Sequence, residues 1–363
     1  MEEWKEYRLG DILNFRRGHD LPRTEMKKGK IPVAGSNGII GFHNEFTPIS
    51  PCITIGRSGN VGTPYIYEEC WAHNTVLYVD DFKGNFPLYL YYLLKTLPLS
   101  SFGGGSAVPT LNRNHIHPLV VKHNPNIDVQ KRIAFILKSL DDKIELNRRI
   151  NDNLEQQAQA LFKSWLTKCD DYVPISELSL NVTDYSKCNK DKVVLINSSD
   201  VTEGKFEHKI YSDNKNLKGH FKKRFQKGDI LYSQVRPRNR HWAYCNFDAE
   251  DFLASTQLMV IRNRENIIPN ILLYQYIIDK NVWLDFTNKT ETRSGTFPQG
   301  NYEELSSIIV PFGARMEKIT SELNCIYSKI YYNLDENSYL TSLRDTLLPH
   351  LMSGELKVND VTI

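Results

Sequence analysis

A short basic loop in the second half of the chain carries side chains suited to nucleic-acid recognition. Residues 234–241 read QVRPRNRH, with a single proline among basic and amide side chains. Arg and Asn present paired hydrogen-bonding groups that match the edges of guanine and adenine. The alternative interpretation is a merely solvated basic loop, since surface arginines are common. The candidate DNA-binding residues of this loop are Arg236, Arg238, Asn239, Arg240 and His241.

The loop belongs to a strongly basic segment, residues 205–241. This segment holds eleven Lys and Arg residues against three Asp and Glu residues, which gives it a net charge of +8. The whole chain has a net charge of only +2. Such a local field attracts phosphates, so the segment favours DNA as a partner.

A glycine-rich loop, residues 56–62, occupies the corresponding place in the first half. Its sequence GRSGNVG lets the backbone approach a ligand closely and offers Arg57, Ser58 and Asn60 as contacts. A plain hairpin turn explains the same pattern. Further polar candidates for DNA contact are also expected outside the core. They are a basic pair, Arg16 and Arg17, and residues of two loops that match between the halves: Ser106, Asn112, Thr290, Arg293, Ser294 and Gln299.

The motifs of common enzymes are missing from the sequence. It has neither a phosphate-binding GxxxxGK[ST] loop nor a GxSxG nucleophile turn. His115 and His117 lie two residues apart, without a carboxylate or cysteine at a spacing that supports metal binding. The six cysteines form no CxxC pair, which is typical of reduced thiols. We therefore expect no catalytic residue, no metal and no cofactor on this chain.

The elements that would position these loops occur twice in the sequence. The repeated segments predict a strand, a short helix and a Gly/Ser/Pro loop in each half. The matched pairs are 71–79 with 252–260, 86–94 with 268–276, and 105–109 with 294–298.

Each half then ends in a predicted long helix with apolar residues spaced by three and four, the pattern of a coiled-coil seam. The seam residues are Leu137, Leu140, Ile144, Asn147, Asn151, Leu154 and Leu161 in the first helix, and Leu323, Ile326, Ile330, Asn333, Asn337, Leu340 and Leu347 in the second. The two asparagines of each seam fall at the same layers, whereas Arg344 stands where the first helix has Ala158. We expect the helices to pair antiparallel, with the globular halves at opposite ends. Separate amphipathic helices, each packed on its own domain, are the alternative.

These patterns predict an α+β protein with a pseudo-two-fold repeat. The predicted regions are a globular domain at 1–125, a helix at 126–168, a second globular domain at 169–312, a helix at 313–352 and a tail at 353–363. Hydrophobic residues make up 40% of the chain and charged residues 24%, as in ordinary globular proteins. Because no apolar run is long enough to span a membrane and the N-terminus lacks signal-peptide order, we expect a cytoplasmic protein without membrane contact.

Four further segments resemble the specificity subunits of Type I DNA restriction-modification systems. They are WKEYRLGDI at 4–12, GSAVPTLN at 105–112, QKRIA at 130–134 leading into DDKIELN at 141–147, and LRDTLLPHLMSG at 343–354. The resemblance covers essentially the full chain. The second half departs from it at Gln299 and Gly300, which replace Thr110 and Leu111 of the first half.

The resemblance implies a non-catalytic subunit with two target-recognition domains, each reading one half of a split double-stranded DNA site. It also implies that the paired helices set the unread gap and bind methyltransferase (modification) subunits, two of them, which restriction/translocase subunits then join. S-adenosylmethionine, ATP and magnesium would belong to those partners. The alternatives are a nuclease or methyltransferase with unrecognised motifs, and a coiled-coil adaptor that binds only protein.

Overall fold

The chain divides into two compact units in the computed structural model. The model describes residues 4–103, 110–206, 210–215, 217, 219–265, 267–292, 298–313 and 315–360. The first unit comprises residues up to Asn147 and residues from Asp335 onwards. The second unit is Arg148–Leu334.

The first unit combines short strands with short helices and parts of two long helices. Its strands are β1 (Lys5–Arg8), β2 (Asn14–Arg17), β3 (Ile31–Gly35), β4 (Gly38–His43), β5 (Cys52–Gly56), β6 (Pro64–Tyr67), β7 (Trp71–Ala72), β8 (Val76–Asp81) and β9 (Val120–His123). Its short helices are α1 (Leu9–Ile12), α2 (Pro87–Thr96) and α3 (Arg113–Ile116). Helix α2 begins with proline at the position where a helix start tolerates it.

The second unit has a similar composition of elements. Its strands are β10 (Asp171–Pro174), β11 (Ser179–Asn181), β12 (Lys192–Ile196), β13 (Val201–Thr202), β14 (Lys205–Phe206), β15 (Tyr211–Asp213), β16 (Phe221–Lys223), β17 (Ile230–Ser233), β18 (Trp242–Tyr244), β19 (Phe252–Ser255), β20 (Leu258–Asn263) and β21 (Ile309–Phe312). Its shorter helices are α5 (Ile175–Leu178), α6 (Asn270–Ile278), α7 (Lys280–Glu291) and α8 (Tyr302–Ser306). The long helices α4 (Ile127–Leu166) and α9 (Met316–Ser353) contribute residues to both units.

The two units repeat one sheet topology. The first has a four-stranded sheet in the order β2-β8-β5-β6, and the second has one in the order β11-β20-β17-β18. Beside it, each unit holds a sheet with one parallel pair, β3 with β7 in the first unit and β12 with β19 in the second. Each unit also has a two-stranded antiparallel sheet, formed by β1 with β9 or by β10 with β21. The predicted duplication is therefore present in the strand order.

The central strand of each four-stranded sheet is buried on both faces. In β20, Met259 and Ile261 belong to the core that includes the helices, whereas Leu258 and Val260 belong to a core on the other face. Successive side chains of a strand point to opposite faces, so a run of consecutive apolar residues fills both cores. The equivalent strand β8 is buried in the same way. This packing fixes the strand ends from which the candidate loops emerge.

Helices α4 and α9 run antiparallel within the first unit. Asn147 Nδ2 donates to Asn337 Oδ1 at 3.0 Å, and Asn337 Nδ2 donates to the Ile144 carbonyl at 3.3 Å. Arg344, the departure in the second seam, donates to Asp141 Oδ1 at 2.7 Å. The charged residue is therefore accommodated by an ion pair with the facing helix.

Within the second unit the same two helices are also antiparallel. Asn333 Nδ2 donates to Asn151 Oδ1 at 2.8 Å, and both side chains are buried. The seam differs from its prediction at Leu161, which is only half-buried, because the neighbouring Phe162 takes the buried position. Phe162 packs edge-on against Tyr276 of α6, with 4.9 Å between ring centroids, so the domain core widens the apolar face of the helix.

The second seam differs from its prediction in the same way at two further places. Ile326 and Leu347 are half-buried, whereas the adjacent Tyr327 and Leu348 are buried.

None of the helices in the described part of the chain has the length and apolar character that a membrane span requires.

Candidate nucleic-acid interface

The basic loop of the second unit has an unusual backbone. It connects β17 to β18 and contains a single helical turn, Pro237–Asn239. Arg236 and Arg240 flank this turn with positive φ angles of 50° and 54°. Non-glycine residues adopt this left-handed conformation rarely, and they keep it where the surrounding contacts impose it.

Helix α7 and Glu203 supply those contacts. Trp283 Nε1 donates to the Pro237 carbonyl at 2.9 Å, and the Arg240 guanidinium lies 4.5 Å from the centroid of the Trp283 ring. Arg240 Nη1 also lies 3.0 Å from Glu203 Oε1, and Arg238 forms an ion pair with Glu291. The loop is therefore docked on the domain through two of its predicted DNA-binding arginines.

The described end of the second predicted loop, residues 298–300, lies directly beside the basic loop. Val235 forms a β-bridge with Gln299, and Gly300 N donates to the Gln234 carbonyl at 2.8 Å. Gln299 is exposed next to the basic loop, as a DNA-contacting residue would need to be. Arg293 and Ser294 lie outside the described residues.

Thr290 is not part of this surface. The sequence predicted an accessible polar residue, but Thr290 is fully buried and its hydroxyl donates to the Thr287 carbonyl at 2.7 Å. It follows Val282 and Phe286 at helical spacing along the inner face of α7, which explains its burial. The prediction that Thr290 is accessible is therefore wrong.

In the first unit, the described end of the matching loop, residues 110–112, meets the glycine-rich loop in the same manner. Leu111 N donates to the Arg57 carbonyl at 2.7 Å, and Ser58 forms a β-bridge with Thr110. Asn112 follows at once, and its side chain accepts from Asn114 N at 2.9 Å to cap α3. Ser106, the remaining candidate of this loop, lies outside the described residues.

The glycines of the first loop are required by its closure. Gly62 N donates to the Gly56 carbonyl at 2.8 Å, and a Cβ on Gly56 would lie 1.8 Å from the Asn60 carbonyl oxygen. Any other residue at Gly56 would therefore clash with the backbone. The tight closure leaves Asn60 exposed.

Three arginines give this surface a positive charge. Arg16 and Arg17 are exposed on β2, and Arg57 is half-buried. Burial and, to a smaller extent, the charge of Arg17 lower the pKa of Arg57. A bound anion would relieve the repulsion between these two guanidinium groups, so the cluster suits a phosphate contact.

One residue of the basic segment does not contribute to the surface field. Lys223 is buried, and its ammonium group donates to the Leu258 carbonyl at 2.7 Å. Burial also lowers the pKa of Lys223. Sequence counting had placed it with the phosphate-attracting lysines, since composition alone does not reveal which face of β16 a residue occupies.

The structure adds residues to this surface that the sequence did not indicate as candidates. A surface opening lined by Asn239 and His241 is also lined by four of them: Asn197, Ser198, Ser199 and Gln257. The available signal was a run of three polar residues, Asn-Ser-Ser, directly after the apolar run 193–196. Among the described residues, no group of three His, Cys, Asp or Glu side chains is arranged to hold a metal ion.

Comparison with known proteins relates the first domain to a described family. Residues 1–156 match the family model described as Type I restriction modification DNA specificity domain. This match covers the first 156 of the 363 residues, and the resemblance noted in the sequence is confirmed.

Two relatives are specificity subunits of Type I restriction enzymes. The chain is 35% identical over 157 residues to the HindI specificity subunit of Haemophilus influenzae, which covers 43% of this chain and 34% of that subunit. It is 24% identical over 310 residues to the MjaIX specificity subunit of Methanocaldococcus jannaschii, which covers 75% of this chain and 70% of that subunit. The first match thus spans only about a third of its relative's length.

A solved structure shares the fold over nearly the whole chain. The S subunit of a Type I restriction-modification system from M. genitalium superposes with a TM-score of 0.64, covers 96% of each chain and is 16% identical. The predicted fold class, two similar α+β domains with two long antiparallel helices, is confirmed.

Proposed function

We propose that this chain is the DNA-recognition subunit of a Type I restriction-modification complex, in which each α+β domain reads one half of a split DNA site. The observation that carries the proposal is the repeated loop pairing. Leu111 N binds the Arg57 carbonyl in the first unit, and Gly300 N binds the Gln234 carbonyl in the second. Two loops of different side chains on one framework suit two different half-sites.

The side chains of both surfaces divide between the two components of DNA recognition. Exposed basic residues such as Arg16 and Arg17 suit phosphates, which position a protein on the duplex without reading its sequence. Amide and hydroxyl side chains such as Asn60 and Gln299 suit base edges, which carry the sequence information.

The proposed partners are those that the resemblance to specificity subunits implies. As part of a restriction enzyme, the chain would bind double-stranded DNA, two methyltransferase subunits and restriction/translocase subunits. S-adenosylmethionine, ATP and magnesium would be held by those partners, and catalysis would occur there. The long helices α4 and α9 offer an extended surface for methyltransferase docking.

Reconstitution with a modification subunit tests the proposal. We expect the assembled complex to bind duplex DNA with an affinity that falls steeply with salt, because lysines and arginines release counterions from phosphates. The modification subunit alone should lack this salt-dependent binding to duplex DNA. An assembly that forms but does not bind DNA would support the protein-only adaptor instead.

A second arm of the experiment addresses catalysis. The purified chain alone is incubated with duplex DNA, magnesium and S-adenosylmethionine. We expect neither cleavage nor methyl transfer under these conditions. Either product would contradict the proposed division of labour and favour an enzyme with unrecognised motifs.

A further inference from the structure

We propose that bases in the second half-site are read by a polar depression beside the basic loop, whereas Arg238 and Arg240 hold that loop in position. The inference rests on the proposed function and assigns roles within that same surface. The depression has a volume of about 420 Å³. Its polar lining includes Asn197, Ser198, Ser199, Asn239, His241 and Gln257.

The strand pairing explains why residues so distant in sequence meet there. Strands β12 and β19 are parallel neighbours, so the residues that follow both strands emerge at the same edge of their sheet. Ser233, the last residue of β17, pairs with Leu258, the first residue of β20. The basic loop therefore begins beside Gln257, and Gln234 N donates to the Gln257 carbonyl at 2.9 Å.

The backbone of the depression is held in place on two sides. Asn197 and Asp200 form a reciprocal capping box around the turn Ser198–Asp200, in which Asn197 N donates to Asp200 Oδ2 at 2.7 Å. On the other side, Trp283 holds the Pro237 carbonyl. A backbone that is already fixed loses little additional freedom on binding, which favours selective recognition.

The lining offers both hydrogen-bond donors and acceptors. His241 Nδ1 lies 3.0 Å from the Val201 carbonyl and 3.2 Å from Thr202 Oγ1, so a proton on Nδ1 would bond the carbonyl and leave Nε2 as an acceptor. Ser198 Oγ is buried and has no hydrogen-bond partner among the described residues. A buried hydroxyl without a partner is costly.

The amides of Asn239 and Gln257 specify the class of ligand. A side-chain amide pairs in bidentate fashion with the N6 and N7 groups of adenine in the major groove. We therefore expect an A·T pair in the half-site that the second unit reads.

The two arginines are already engaged within the domain. Arg240 lies over the Trp283 ring and pairs with Glu203, and Arg238 pairs with Glu291. A base contact by either guanidinium would require these pairings to break, and the carboxylates already offset the two charges. Their positions suit loop anchoring and outlying phosphate contacts.

The test compares methylated sequences in a host that lacks other DNA methylation, with each variant expressed together with the modification subunit. We expect Gln257→Ala and Asn239→Ala to reduce discrimination at an A·T pair of one half-site by about 5-fold to 150-fold, the range for one lost bidentate contact. The other half-site should stay unchanged. Gln226→Ala is the matched control. It removes an exposed glutamine before β17, at the end of that strand opposite to the loop, and should leave base preference in both half-sites unchanged.

Two further variants separate reading from anchoring. Gln257→Glu keeps the side-chain size but lacks the donor that adenine N7 requires, so it should change the preferred base and not simply unfold the domain. Arg238→Gln should lower methylation at all sites by a similar factor without changing the preferred bases.

The outcomes distinguish this inference from the proposed function. If the unmutated complex methylates no defined sequence, the proposed function fails and this inference fails with it. If the unmutated complex is specific, but Arg238→Gln relaxes base choice while the Gln257 and Asn239 variants retain it, only the assignment of roles is overturned.

Discussion

At the scale of single residues, the buried His123 makes the stability of the first unit depend on pH. It is almost fully buried, with its ring 5.2 Å from that of Tyr7 and 5.6 Å from that of Tyr89. Burial lowers the pKa of His123 to about 4. The unfolded chain, with a histidine pKa near 6.5, binds more protons than the folded chain between these two values. Stability should therefore be lost as the pH falls from about 6.5 towards 4.

Urea unfolding at several pH values measures this effect. We expect the His123 contribution to lower the free energy of unfolding by about 3 kcal/mol across that window. His123→Leu should show a shallower decline between pH 6.5 and 4.5, because its buried group does not titrate. Identical declines in the two proteins would contradict the assignment to His123.

Sequence reasoning found the basic loop but not all the residues around it. The chemistry of Arg236 to His241 is visible from residue types alone. Gln257 joins that loop only through the pairing of β17 with β20, and Ser198 only through the parallel pairing of β12 with β19. Long-range pairing of this kind has no local sequence signal, and neither has the docking of the loop on Trp283.

At the scale of elements, the buried asparagine pair of the second unit is a polar interruption in an apolar helix contact. Asn333 Nδ2 donates to Asn151 Oδ1, and Asn151 Nδ2 donates to the Ile330 carbonyl at 3.2 Å. We expect Asn333→Leu to lower the free energy of unfolding by about 1–3 kcal/mol, because the Asn151 amide then loses a partner in a buried site.

A double-mutant cycle by chemical denaturation checks this prediction. The combined variant Asn151→Leu/Asn333→Leu should be more stable than the single variant, since no buried amide remains without a partner. Strictly additive losses of stability would show that the two asparagines do not interact.

The helices themselves were predictable because their apolar spacing is regular over many turns. The individual residues buried in the seam were less predictable. Beyond Asn151, the buried position passes from Leu161 to Phe162. A straight helix drifts by about 20° per heptad, and the domain core around Tyr276 accepts the aromatic ring at the drifted position.

At the scale of the whole molecule, the duplication of the sequence corresponds to a duplication of strand order. The order β2-β8-β5-β6 recurs as β11-β20-β17-β18. Sequence alignment of the halves predicted the repeat but not this order, because neighbouring strands in a sheet are set by tertiary pairing. The two loop pairs that distinguish the recognition surfaces are held by the same backbone contacts in both units.

The long helices lead to a prediction about the spacing of the two half-sites. Residues 133–165 of helix α4 number 33, and at about 1.5 Å per residue they extend over about 50 Å. We propose that this length fixes the unread gap. Deleting one heptad from both helices removes about 10 Å and should shorten the gap by roughly 3 base pairs. The methylated motif of the shortened protein reports the result, and an unchanged gap would refute the role of the helices in spacing.

The most direct measurement of the central claim is the set of DNA sequences methylated in a host that expresses this chain together with a modification subunit. Two recognition domains with different loops predict a motif of two unlike halves, separated by a constant number of unread base pairs. A continuous motif, two identical halves or methylation without a defined sequence would contradict the account.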